Sequence, residues 1–181
     1  MINPVMNQRI RLMGRTLRAP ERFPVRMAKL MDLKSLKVLI VDDEEDLLNT
    51  LVERMKMREI DVSGACSGES ALEHLSQKAV DVVVMGVRMP GMDGVETLKE
   101  IKRCQPLVEV IMLTGLASVG TATRVMELGA FDYLLKPIEI DQLIYKIQDA
   151  YLVKALKETM VQERAQSADQ PDTQGDPQED T

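Results

Sequence analysis

Three short runs of apolar, mostly β-branched residues punctuate the middle of the chain: Val38-Leu39-Ile40-Val41, Val82-Val83-Val84-Met85 and Val110-Ile111-Met112-Leu113. None alternates apolar with polar, so each predicts a strand covered on both faces, as in a parallel sheet. Val62 to Cys66 and Phe131 to Leu135 are weaker strand candidates. Between these runs the spacing turns helical. Leu47, Leu48, Leu51, Val52 and Met55 share one helical face; Ile140, Leu143, Ile144, Ile147 and Tyr151 do so more cleanly, in a helix predicted to run to about Glu163. Ser67, Asp93 and Ser118 stand where N-caps belong, and Gly129 where a helix end needs a left-handed residue. The order βαβαβαβαβα with right-handed crossovers predicts an α/β fold, a doubly wound five-stranded sheet between layers of helices. Such sheets bind ligands beyond the carboxyl ends of their strands, where strand order reverses.

The chain has 181 residues, enough for one compact domain with chain to spare, and 45% of them are apolar, enough for a core. No apolar run approaches the roughly 20 residues that span a bilayer. The two cysteines, Cys66 and Cys104, lack metal-ligand spacing and read as unreactive thiols, which fits a reduced, cytoplasmic setting. His74, the one histidine, reads as a plain helix residue.

Charge divides the chain. The net charge is −6, yet residues 1–36 carry eight basic and two acidic side chains, whereas residues 163–181 carry six acids against Arg164. Three segments are therefore expected: a poorly ordered basic extension over 1–36, a globular domain over 37–154, and over 155–181 the end of the last helix followed by an acidic tail. From Gln166 the tail lacks the apolar residues needed to offset its ordering entropy and is expected to be disordered. For the arm three readings stand: an anionic-surface binder, a transit-peptide-like segment, or residues upstream of a natural start at Met31. The 27 residues after position 154 leave no room for an output domain, so a single-domain protein is expected.

The predicted strand ends gather chemistry. The first leads into Asp42-Asp43-Glu44-Glu45, the fourth into Thr114-Gly115 and the fifth into Lys136-Pro137; the third passes into Gly86-Val87-Arg88-Met89-Pro90-Gly91-Met92-Asp93-Gly94. Two carboxylates, a hydroxyl and an ammonium converging on one crevice suit Mg²⁺ and a phosphoryl group. Asp42-Asp43 alone reads equally well as a solvated cluster at a helix start.

The motifs VLIVDDEED, VRMPGMDG, VIMLTG and GAFDYLLKP, in this order and spacing, resemble the receiver domain of two-component response regulators (CheY-like) over about residues 37–154. The resemblance implies a flavodoxin-like fold with strand order 2-1-3-4-5. It assigns Asp42 and Asp43 to the acidic pair that holds Mg²⁺ and Arg88 to the position whose backbone carbonyl completes the metal shell. Thr114 and Lys136 match the residues that contact the phosphoryl oxygens, Tyr133 matches the rotating aromatic of the output face, and the Lys136–Pro137 bond is expected to be cis. One position departs. Where receivers carry the phosphoacceptor aspartate, this chain has Gly86, which offers no carboxylate. A Mg²⁺ site short of one ligand, weak or empty, is expected, with Lys136 pairing instead with Asp42 or Asp43. The expected function is that of a degenerate, non-enzymatic receiver in phosphorelay signalling. It would act by protein–protein interaction with a sensor histidine kinase or another signalling protein. Two alternatives stand: phosphorylation at a non-standard acceptor such as Asp93, and nucleic-acid binding through the basic arm. Low aromatic content (3%) and the acidic domain speak against the second.

Overall fold

The computed structural model describes residues 35–116 and 118–168, together with the backbone of residues 9–12 and 15–18. The chain divides into two units, Met1–Asp32 and Leu33–Thr181. In the first, β1 (Arg9–Leu12) pairs antiparallel with β2 (Arg15–Arg18), with Arg9 opposite Arg18 and Leu12 opposite Arg15. No element was expected here. The Arg-Ile-Arg-Leu alternation is a period-two pattern that the arginine count overshadowed. The rest of the arm, and the tail from residue 169, lie outside the described residues.

The second unit follows the expected order: β3 (Lys37–Val41), α1 (Glu45–Lys56), β4 (Asp61–Ala65), α2 (Gly68–Gln77), β5 (Val82–Gly86), α3 (Gly94–Cys104), β6 (Glu109–Thr114), α4 (Val119–Glu127), β7 (Asp132–Leu135) and α5 (Ile140–Ala168). The five strands form one parallel sheet in the order β4-β3-β5-β6-β7, which, counted from β3, is 2-1-3-4-5. The fold is the flavodoxin-like doubly wound sandwich.

Strand side chains alternate between two cores. Val38, Ile40, Val82, Val84, Ile111 and Leu113 pack with Leu48, Leu51 and Met55 of α1 and Leu143 and Ile147 of α5. Leu39, Val41, Val83, Met85, Val110 and Met112 pack with Ala71 and Leu75 of α2, Leu98 and Ile101 of α3 and Val125 of α4. Burying one such aliphatic side chain contributes about 1.5–3 kcal/mol, so both faces of each central strand are strongly held.

The helix ends obey the cap signals. Ser67 forms a capping box with Ser70, Asp93 accepts from the amides of Val95 and Glu96, Ser118 accepts from Thr121, and Gly129 takes φ +94° after α4. The last helix runs past Glu163 to Ala168, so Gln166 to Ala168 belong to it and not to the tail. Gln162-Glu163-Arg164-Ala165-Gln166 are good helix formers that bury little; the polarity that suggested disorder removed packing, not helix propensity. No helix among the described residues is long and apolar enough to cross a membrane.

Candidate functional site

Beyond the carboxyl ends of β3, β5 and β7 the chain assembles a charged cluster. Where β3 stops, the amide of Asp42 still donates to the Ala65 carbonyl of β4 (3.1 Å), and this holds the Asp42 backbone in the sheet. Asp42 is only 2% exposed. Its Oδ1 accepts from the amide of Glu44 (3.1 Å), and its Oδ2 accepts from Lys136 Nζ (2.7 Å). The same ammonium reaches Glu44 Oε1 at 3.0 Å. Lys136 follows β7 and is positioned by its own amide, which donates to the Thr114 carbonyl (2.7 Å), and by the cis Lys136–Pro137 bond that the resemblance implied. Partial burial works against the Lys136 charge, but the hydrogen bonds it donates to Asp42 and Glu44 outweigh it and hold the ammonium above its ordinary value.

Gly86 closes β5 beside this pair. A Cβ there would stand 3.1 Å from Asp42 Oδ2 and 3.7 Å from the Val41 carbonyl oxygen. The position therefore faces the buried carboxylate directly. The loop that follows is tightly folded. A Cβ at Gly94 would fall 2.1 Å from the Gly86 carbonyl oxygen, so only glycine fits there. Gly91 takes φ +75°, and Glu69 of α2 accepts from the next amide, Met92, at 3.0 Å. Backbone hydrogen bonds, from its own amide and that of Met92, pull the Glu69 carboxyl below its usual range.

The sequence-derived residues sort into three groups. Asp42, Lys136 and Gly86 come together. Thr114 and Tyr133 meet at the Leu116 backbone: Thr114 Oγ1 accepts from the Leu116 amide (3.2 Å), and Tyr133 Oη donates to the Leu116 carbonyl (3.0 Å). The side chains of Asp43 and Arg88 stay exposed. Lys136 thus pairs with Asp42 as expected, but its second partner is Glu44 and not Asp43. The four acids DDEE are interchangeable in sequence; the turn after β3 decides which points inward. Asp93 spends its Oδ1 on the α3 amides of Val95 (2.9 Å) and Glu96 (2.8 Å). His74 lies on α2, where partial burial and then Lys78 push its pKa down. Cys66 and Cys104 are free and exposed.

Mg²⁺ binding wants a set of converging oxygen ligands with spare negative charge. Here both Asp42 oxygens already hold partners, one of them a cation, and position 86 contributes none. Among the described residues no three His, Cys, Asp or Glu side chains are grouped to hold a metal ion. The residues do not fit the ion. What the arrangement does hold is a compact carboxylate–ammonium–carboxylate clasp between the loops after β3 and β7.

A 2-1-3-4-5 parallel sheet with an acid–lysine cluster past its carboxyl ends defines a CheY-like α/β domain. Residues 38–148 match the family described as response regulator receiver domain, and the chain belongs to that family, a component of two-component systems. It is 36% identical over 121 residues to the regulatory protein AtoC of Escherichia coli strain K12, covering 67% of this chain and 26% of AtoC. A receiver domain from Clostridium thermocellum superposes with a TM-score of 0.63 at 32% identity, covering 67% of this chain and 98% of that one. NtrX from Brucella abortus, solved in complex with ADP, gives 0.65 at 28% identity, covering 69% of this chain and 29% of NtrX. The chain thus spans between a quarter and a third of the curated relatives it matches.

Proposed function

We propose that this receiver has no phosphoacceptor and signals as a protein-binding module in a phosphorelay setting, in the cytoplasm. A sensor histidine kinase or another signalling protein would be its partner. The observation that carries the reading is at position 86. The missing side chain would have pointed at Asp42 Oδ2, 3.1 Å from its Cβ, in the middle of the acidic crevice. Glycine offers no oxygen on which an acyl phosphate can form.

The clasp supports the same reading. With no third carboxylate to share it, Lys136 sits on Asp42 and Glu44. Phosphorylation switches a bistable element by adding about −1.5 to −2 charge beside it. Without an acceptor that input is missing, and the Thr114–Leu116–Tyr133 contacts rest in one arrangement. Asp93 is a poor substitute because its carboxylate caps α3.

Incubation with Mg²⁺ and acetyl phosphate tests this directly. A phosphate-affinity gel should show one unshifted band. A shifted, base-labile band would overturn the reading, and borohydride trapping followed by mass spectrometry would then place the modified aspartate.

A further inference from the structure

A second cleft opens among the same loops, between the β5–α3 connection and the first turns of α4. Its volume is about 580 Å³, within the range of small-molecule sites. Arg88 reaches it from the loop after β5 and Arg124 from the second turn of α4. Neither guanidinium has a hydrogen-bond or ion-pair partner among the described residues, whereas Arg58 and Arg103 are paired with Asp141 and Glu100. In so acidic a chain, two unpaired arginines lining one cleft are a concentration of free positive charge. Among the described residues Asp93 is the one carboxylate on the lining, and its Oδ1 is committed to the α3 amides. Ser118 and Thr121 add hydroxyls, and Val87 and Met89, both buried, supply an apolar floor.

We propose that this cleft binds a small phosphate-bearing molecule through Arg88 and Arg124. Guanidinium groups present paired N–H donors that match phosphate oxygens, and two of them suit a ligand of two or more negative charges. The floor accommodates its organic part. The location gives the ligand a route to the switch. It would touch Ser118, the N-cap of α4, and Thr121 and Arg124 within that helix, close after the Leu116 backbone that Thr114 and Tyr133 hold. Bound charge at this point does what a phosphoryl group does elsewhere, biasing the same loop from a neighbouring position. The role as an input rests on the reading of Gly86 above; the binding site itself does not.

Calorimetric titration of the full chain with inorganic pyrophosphate at low salt tests the site. One saturable site is expected. Affinity should drop at least about tenfold in Arg88→Ala and in Arg124→Ala, the loss expected for one charge-assisted contact. It should hold in Arg54→Ala, an exposed arginine on α1. In ¹⁵N spectra the Leu116 and Tyr133 amides should shift during titration. Absence of saturable binding at millimolar pyrophosphate, or equal weakening by all three substitutions, overturns the site. Binding that leaves Leu116 and Tyr133 unmoved overturns the input role. Labelling by acetyl phosphate bears only on Gly86, so the two proposals fail separately.

Discussion

The two ends of the sheet each bury a carboxylate beside lysine, and they do so differently. At the amino end, Glu109 opens β6 with a side chain 2% exposed. Its Oε2 faces Lys102 of α3 at 3.4 Å, and its Oε1 is held by Lys157 of α5. Close by, Asp81 pairs with Lys154 of α5 at 2.9 Å and accepts from the Lys37 amide at 2.8 Å. Both acids are saturated by groups on regular elements, so this end ties α3 and α5 to the sheet. At the carboxyl end, Asp42 is as deeply buried, at 3%, but its cation comes from a loop and is shared with the mostly exposed Glu44. The position beside it is a bare Gly86. Buried charge at one end is closed structure; at the other it is a site with a side chain missing.

The largest effect should come from the closed end. Glu109→Ala leaves Lys102 and Lys157 without their buried counterion. Burial already pushes the Lys102 ammonium below its ordinary pKa, and Lys157 adds to that, so losing the acid removes the neighbour that keeps it charged. Removing one partner of a buried pair typically costs 3–5 kcal/mol; with both ammoniums partly exposed, about 3 kcal/mol is expected from urea denaturation. A loss under about 0.5 kcal/mol, the range of ordinary surface changes, would refute the claim that this end is closed structure.

Next comes Gly86→Asp. The new Cβ lies 3.1 Å from Asp42 Oδ2, a tight contact, and it brings a second carboxylate beside the first. In EDTA the variant should lose about 2 kcal/mol, in the range for overpacking and for carboxylates forced together. Added Mg²⁺ should recover part of this, and acetyl phosphate should now shift the band. A variant that folds, ignores Mg²⁺ and stays unlabelled would mean that the crevice has lost more than one side chain.

The sequence disclosed these two ends unequally. The central strands β3, β5 and β6 announced themselves because burial on both faces leaves no polar position to blur the run. The edge strand β4 reads weakly since Asp61 and Gly64 are exposed, and β7 because Asp132, Tyr133 and Leu134 are only partly buried and Leu135 is exposed. Asp42, Lys136 and Gly86 stood out through motif spacing, which local chain order preserves. Glu109 did not, because a lone acid before an apolar run looks like a strand boundary. Its partner Lys157 lies 48 residues on. The only hint was Lys154 and Lys157, spaced i, i+3 in a largely apolar stretch of α5. Glu44 was hidden for another reason, since nothing in a run of four acids tells which one the turn after β3 aims at the lysine.

The smallest effect, and the one that most sharpens the contrast, belongs to Lys136→Met. It removes the loop cation and leaves Asp42 its single backbone donor, the Glu44 amide. About 1–2 kcal/mol should be lost near neutral pH, less than for Glu109→Ala, because one lysine is removed from an open crevice that water can enter. The loss should depend on pH in a known direction. The hydrogen bonds to Asp42 and Glu44 outweigh burial and hold Lys136 above the ordinary lysine value of 10.5 in the folded chain. A base whose folded pKa is raised contributes its full stability below the unfolded value, and that contribution vanishes as pH climbs through the folded one. Wild type and variant should therefore differ by a constant amount up to about pH 10 and converge above it. Urea midpoints measured from pH 7 to pH 11 decide the matter. A difference that already closed between about pH 7 and pH 9, well below the ordinary lysine value, would show that the stabilisation does not come from the Lys136 ammonium.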